Sequence, residues 1–260
     1  MTFAAWFNLL SANSSKVFTE MKRYLPNTLS LIFTFYFVFL AMFFGLQFGG
    51  NPANFEFNIQ FVIVSNMFWF LALMAMQGIG WEITTEATRG TLEQLYMSPM
   101  GAWRILLARM VGSIAVNLVF MSVLLVLAMA TARQWLNLDL ITIVPILVPT
   151  LISMIGVGFM VAGLSILFKQ IQAFLQILQF VFLGLVFVPL SVTPFLELAP
   201  FVRGVDMTRQ VMVNNLSLTQ IPPLDFGLLV VNAAVYFVLG LLVFRRCEAV
   251  AMQRGLLGHY

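Results

Sequence analysis

The sequence predicts an all-α integral membrane protein with six transmembrane helices. An N-terminal amphipathic interfacial helix precedes them, a cytoplasmic helical region lies between helices 2 and 3, and short outer helices lie between helices 5 and 6. Three observations predict this class. Hydrophobic residues make up 61% of the chain and charged ones 9%, against roughly a quarter charged in soluble domains, and the mean hydropathy is +0.98. The charged residues bound six long uncharged windows. The basic residues between those windows alternate in density, as they do in polytopic membrane proteins.

The charge-free windows are 24–55, 57–81, 110–132, 140–168, 170–196 and 226–244. A helix rising 1.5 Å per residue needs about 20 apolar residues to cross a hydrocarbon core of about 30 Å, and each window reaches or approaches that length. Unpaired backbone groups cannot be hydrated in lipid, and the windows are far too long for barrel strands, so helices are required. The predicted spans are 26–49, 58–81, 110–132, 142–168, 172–194 and 226–244 within one transmembrane domain, 1–260.

Ten basic residues fall on one side of these spans: Lys16, Lys22, Arg23, Arg89, Arg104, Arg109, Lys169, Arg245, Arg246 and Arg254. Arg133, Arg203 and Arg209 fall on the other. The richer side is expected to be cytoplasmic, which puts both termini inside a cytoplasmic (inner) membrane. The net charge of +3 is scattered between apolar runs, not gathered on one face, and this argues against a nucleic-acid partner. Cys247 and His259 are the only residues of their types, so one chain offers neither a disulfide framework nor a zinc ligand set. Residues Met1–Ser15 lack a basic n-region, and Asn8, Ser11 and Asn13 interrupt any h-region; the segment reads as mature protein.

Within residues 1–25, Phe3, Trp6, Phe7, Leu10, Val17, Phe18, Met21 and Leu25 recur at three- and four-residue steps. That is an amphipathic helix, suited to lie along the inner membrane surface or to pack on its own protein. In the outer loop, 195–225, Leu198, Phe201, Val202, Val205 and Met212 share one helical face after Pro194 and Pro200. Short helices on or dipping into the outer leaflet are expected there. Gly156, Gly158, Ala162, Gly163 and Ser165 make one side of the fourth span small enough for close helix contact. Gln172, Gln176 and Gln179 open the fifth span at steps of four and three, so three amides share a face. Such a stripe hydrogen-bonds a neighbouring helix or faces a hydrated transport path.

The chain shows no energy source of its own. A phosphate-binding loop needs Gly-Lys, and none of Lys16, Lys22 and Lys169 follows a glycine. Proton-coupled carriers place Asp, Glu or His inside the membrane, and the six windows contain none. By elimination, an engine on a separate chain would do the work, although sodium coupling through backbone carbonyls stays open.

After the second span the chain reads Trp81-Glu82-Ile83-Thr84-Thr85-Glu86-Ala87-Thr88-Arg89-Gly90-Thr91-Leu92-Glu93-Gln94-Leu95-Tyr96-Met97-Ser98-Pro99. Glu82, Glu86, Arg89 and Glu93 lie at steps of four, three and four, one face of a continuing helix. Thr91 with Gln94 is a capping box, and Ser98 before Pro99 caps another helix. At Glu86, Arg89-Gly90-Thr91-Leu92-Glu93 and Ser98-Pro99 this stretch resembles the signature of type 2 ABC exporter permeases. The resemblance implies that 82–104 is a coupling region, with Glu82, Glu86, Arg89, Gly90, Thr91, Glu93, Ser98 and Pro99 meeting the motor. It also implies a homodimer or pseudo-dimer with two cytoplasmic ATP-binding cassette ATPase subunits, which carry ATP and Mg, while this chain holds no cofactor and catalyses nothing. The expected cargo is a drug, lipid, lipid-linked molecule or similar hydrophobic amphiphile, exported across the lipid bilayer.

Two other classes stand beside this one. A polytopic membrane enzyme of lipid metabolism would need a carboxylate, histidine or nucleophile constellation, and Glu56, Asp139, Glu197, Asp206 and Asp225 form no recognisable motif. An ion-coupled secondary carrier would need gradient dependence despite charge-free spans.

Overall fold

The computed structural model describes residues 22–49, 55–88, 102–168, 171–190 and 193–254, with Thr19 and Met97. These form α1 (Leu25–Gly49), α2 (Phe55–Thr88), α3 (Ala102–Ala132), α4 (Leu140–Leu167), α5 (Gln172–Phe187), α6 (Val202–Asn214) and α7 (Pro223–Gln253), with 3₁₀ turns at Pro194–Leu198 and Leu218–Gln220. No strand occurs among the described residues. The amphipathic segment 1–25 lies almost entirely outside them.

Among the described residues, five helices are long and apolar enough to cross a membrane: α1, α2 over Asn58–Gly80, α3, α4 and α7. The fifth expected span, 172–194, is shorter than its apolar window. Helix α5 ends at Phe187, with Val188 already extended at φ −86° and ψ 123°. Pro189 explains the stop, because its ring disfavours helical backbone at the preceding residue. The 16 residues of α5 cover only about 24 Å. Helices α2, α3 and α7 overrun their windows, while α1 and α4 stay inside theirs. Charged residues end a charge-free window but not a helix, so α2 continues through Glu82 and Glu86, and α3 begins eight residues before Met110.

Helix α2 is the centre of the bundle, touching α1, α3, α4, α5 and α6. From Ile59 to Ile83 it carries a nearly unbroken buried series that includes Ile63, Met67, Phe70, Met76 and Ile79. Helices α4 and α7 form the most extensive pair. Their approach is set by glycine: a Cβ on Gly240 would run into the Gly156 carbonyl oxygen, and one on Gly156 into that of Tyr236. Gly163 sits against Phe244 and Cys247 of α7, while Gly158 places its α-carbon against the Ala75 carbonyl of α2 and Ser165 lies beside Gly80. The small residues of the fourth span therefore serve two faces, not the single one expected. Residues 156 and 163, seven apart, meet α7; residues 158 and 165, also seven apart, meet α2. Phe159 adds edge contacts to Phe237 and Phe244 at ring separations of 6.4 and 5.5 Å.

The apolar face of α6 corrects a second expectation. Phe201, Val202, Val205 and Met212 are buried, and only Leu198 of that set is exposed. The face packs inward on α4 and α2, where Gly204 rides against the Thr150 side chain and Phe201 meets Phe182 edge-on. Burial against the protein leaves this face nothing to offer the outer leaflet. Exposed apolar side chains instead belt α1, α3 and α7, among them Phe33, Phe37, Val119, Val126, Val231 and Val238. In water such belts would be untenable, and in a bilayer they are the lipid-facing surface.

Candidate functional site

The last turns of α2 and the first turns of α3 run side by side at one end of the bundle. Glu82 and Glu86, one helical turn apart, present their carboxylates to the same neighbour, Arg109 of α3. Arg109 Nη1 donates to Glu86 Oε1 at 2.9 Å and to Glu82 Oε1 at 3.4 Å. The side chains of Arg109 and Glu86 are 18% and 15% exposed, so the pair is partly withdrawn from water and its charges attract more strongly than on an open surface. Ile83, Leu106 and Met110 are buried around it. Helix α2 runs to Thr88, eight residues past Gly80 where its apolar stretch ends, so this end projects about 12 Å beyond that stretch. The triad staples that projection to α3.

On the adjoining flank, Trp103 of α3 lies beneath two guanidinium groups, those of Arg104 at 5.1 Å and Arg245 of α7 at 5.0 Å. These cation–π contacts tie the end of α7 to the start of α3.

The opposite end is held by arginines that charge counting assigned only to topology. Arg209 of α6 is 8% exposed. Its Nη2 donates to Ser65 Oγ of α2 and to the Val186 carbonyl of α5, both at 2.9 Å. The guanidinium lies 3.7 Å from the centre of the Phe61 ring. Val186 is in the last turn of α5, where carbonyls lack intrahelical partners and the helix dipole favours a cation. One side chain thus joins three helices. Burial lowers the Arg209 pKa to about 10, a fall that Asp206 partly offsets, and the group stays charged at neutral pH. Arg203 bridges Glu197 and, at 2.9 Å, Asp225. Asp139 caps α4, accepting from the Ile141 amide at 3.2 Å and from the Thr142 hydroxyl at 2.5 Å. Asp139, Glu197, Asp206 and Asp225, which form no recognisable motif in the sequence, are therefore structural partners and caps.

Of the residues expected at the coupling region, Glu82 and Glu86 stand on one face as their spacing predicts. Arg89, Gly90, Thr91, Glu93, Ser98 and Pro99 lie outside the described residues. Arg109 is the member that spacing missed. Its signal was the charge itself, one residue before an apolar window, where a cation inside a helix needs a partner. In the glutamine stripe, Gln176 is exposed and Gln179 half-buried, so the stripe follows the edge between the exposed and packed faces of α5. The Gln179 backbone carbonyl engages another helix, accepting from Trp69 Nε1 at 3.4 Å. The side chain of Gln172 lies outside what the structure describes.

A bundle of long apolar helices around one buried helix, with ion-paired ends and apolar flanks, defines a multi-pass membrane protein. Residues 51–242 match the family model described as ABC-2 family transporter protein. The chain belongs to that family, whose members are permease subunits of ABC transporters, and membership implies partnership with ATP-binding cassette ATPase subunits. No curated protein shows significant similarity to it.

Proposed function

We propose that this chain is the membrane subunit of an exporter that moves a hydrophobic or amphiphilic substrate, a drug, lipid or lipid-linked molecule, on ATP hydrolysed by separate cytoplasmic subunits. The ATP and Mg sit on those partners, and the chain itself is not catalytic. It works as a homodimer in the inner membrane, with six crossings and both termini inside. The sixth crossing includes α5.

The observation that carries this reading is the ion-paired end of α2. A motor outside the membrane must deliver its closure by contact, and only a stiff element passes displacement on. Helix α2 is continuous from the bundle centre to Glu86, and Arg109 ties its end to α3. Glu93, Ser98 and Pro99 join Glu82 and Glu86 in the coupling role on the strength of the sequence motif alone. The exposed Gln176 among Phe174, Ile177 and Phe180 supports a path along α5, because an amide is costly against lipid but at home beside a second copy or water.

The test is co-expression with the cognate ATPase and assay of ATP hydrolysis and transport in inside-out vesicles. Glu86→Lys with Glu93→Lys should weaken assembly or separate hydrolysis from transport while membrane insertion persists. A double variant that assembles, hydrolyses and transports like the parent would remove these carboxylates from the coupling contact.

A further inference from the structure

At the end of the bundle opposite Glu86, a cavity of about 310 Å³ lies between α2, α6 and the turn after α5. Phe61, Leu190 and Val213 give it apolar walls, and Asp206, Arg209 and Gln210 give it polar ones. Its charges have an unusual distribution of contacts. Arg209 Nη2 commits both hydrogens to Ser65 and Val186 at 2.9 Å, which anchors the guanidinium. Nη1 makes only a 3.4 Å contact to Asp206, and the buried Nε has no partner among the described residues. Asp206 has its second oxygen fixed by Gln210 Nε2 at 2.7 Å. A fixed cation and a fixed carboxylate thus face one cavity while holding each other weakly.

The geometry points to a binding site for a zwitterionic headgroup, a phosphate joined to a primary ammonium, carried on an apolar tail. The phosphate takes Nη1 of Arg209, and the ammonium takes Asp206. Each protein charge exchanges a 3.4 Å contact for a closer, charge-assisted one, and the site stays neutral throughout. A purely anionic headgroup would meet Arg209 but also the Asp206 carboxylate, and like charges at that range repel. The volume equals about ten waters of liquid, enough for a headgroup and too little for acyl chains, which stay in the bilayer beyond the apolar walls. This assignment does not depend on the exporter reading, since a bound lipid need not be the cargo.

The full chain, purified in dodecyl maltoside, is titrated with dihexanoyl phosphatidylethanolamine, dihexanoyl phosphatidic acid and free phosphoethanolamine, with binding followed by native mass spectrometry. The parent should bind the ethanolamine lipid at least tenfold more tightly than the other two. Asp206→Asn keeps an acceptor for Gln210 and should weaken ethanolamine-lipid binding about tenfold, abolishing the preference over phosphatidic acid. Val213→Phe fills the cavity without touching the Arg209 contacts and should abolish binding in a protein of unchanged thermal midpoint. An unchanged preference in Asp206→Asn, undiminished binding in Val213→Phe, or equal affinity for free phosphoethanolamine would each overturn the assignment.

Discussion

Replacing Arg109 tests the staple at the end of α2. In Arg109→Gln, Glu86 loses a 2.9 Å ion pair and Glu82 a 3.4 Å one, while Ile83, Leu106 and Met110 keep their packing. Exposed pairs contribute about 0.2–1 kcal/mol, and breaking a fully buried one costs about 3–5 kcal/mol. Side-chain exposures of 18% and 15% lie between those limits, so about 1–2 kcal/mol is expected. Glu86→Gln should cost less, because Arg109 retains Glu82. The double variant should then cost less than the two single effects summed, by a coupling of about 1 kcal/mol between the two sites. The assay is the folded fraction of purified protein across a series of dodecyl maltoside and SDS mixtures. If the two single effects simply add, to within about 0.3 kcal/mol, Arg109 and Glu86 do not interact, and the staple is not what holds the end of α2.

Gly240→Ala should destabilise the fold by about 1–3 kcal/mol in the same assay, because its Cβ meets the Gly156 carbonyl oxygen and α7 must move away from α4. Arg209→Leu should cost about 3–5 kcal/mol, since it leaves Asp206 without its cation and Ser65 and Val186 without their donor; Asp206→Asn should cost under about 1 kcal/mol. Replacing Gln172, Gln176 and Gln179 together by leucine should reduce vesicle transport without loss of folded protein, and unchanged transport would return the stripe to helix packing. The purified chain alone should not hydrolyse ATP, as it carries no Gly-Lys phosphate loop; measurable specific hydrolysis would refute this.

What was legible in the sequence follows from what each signal reports. Apolar windows located the spans because lipid demands an unbroken run of apolar side chains, and five of the six windows carry a helix of full crossing length. The same windows misplaced helix ends, since a carboxylate such as Glu82 leaves the hydrocarbon without leaving the helix. Periodicity found the apolar face of α6 but not what covers it: spacing is identical whether a face meets lipid or Thr150 and Phe182. Spacing also placed Glu82 and Glu86 together, yet their partner Arg109 comes from the next helix, and a pairing across helices has no fixed sequence separation. Arg209 was hidden for the same reason, its bonds to Ser65 and Val186 spanning 144 and 23 residues.

Both charged clusters close on α2, and this bears on how movement would cross the bundle. Glu86 and Ser65 are 21 residues apart, about 32 Å along a single helix, and the stretch between them is buried on nearly every side by α1, α3, α4 and α5. A push on the Glu86 end cannot be absorbed by bending there, because close-packed interiors transmit strain and do not yield. Nor can α2 slide freely past α4, where Gly158 brings the backbones into contact at the Ala75 carbonyl. The looser tie is the 3.4 Å contact to Glu82, whereas the 3.4 Å contact from Arg209 to Asp206 lies within α6 and does not bear on α2. A rigid-body tilt of α2 would strain the 2.9 Å bonds at Glu86 and Ser65 first and hand the displacement to α3 and α6. Helix α6 would then move with the Glu86 end of α2, although it lies at the opposite end of the bundle.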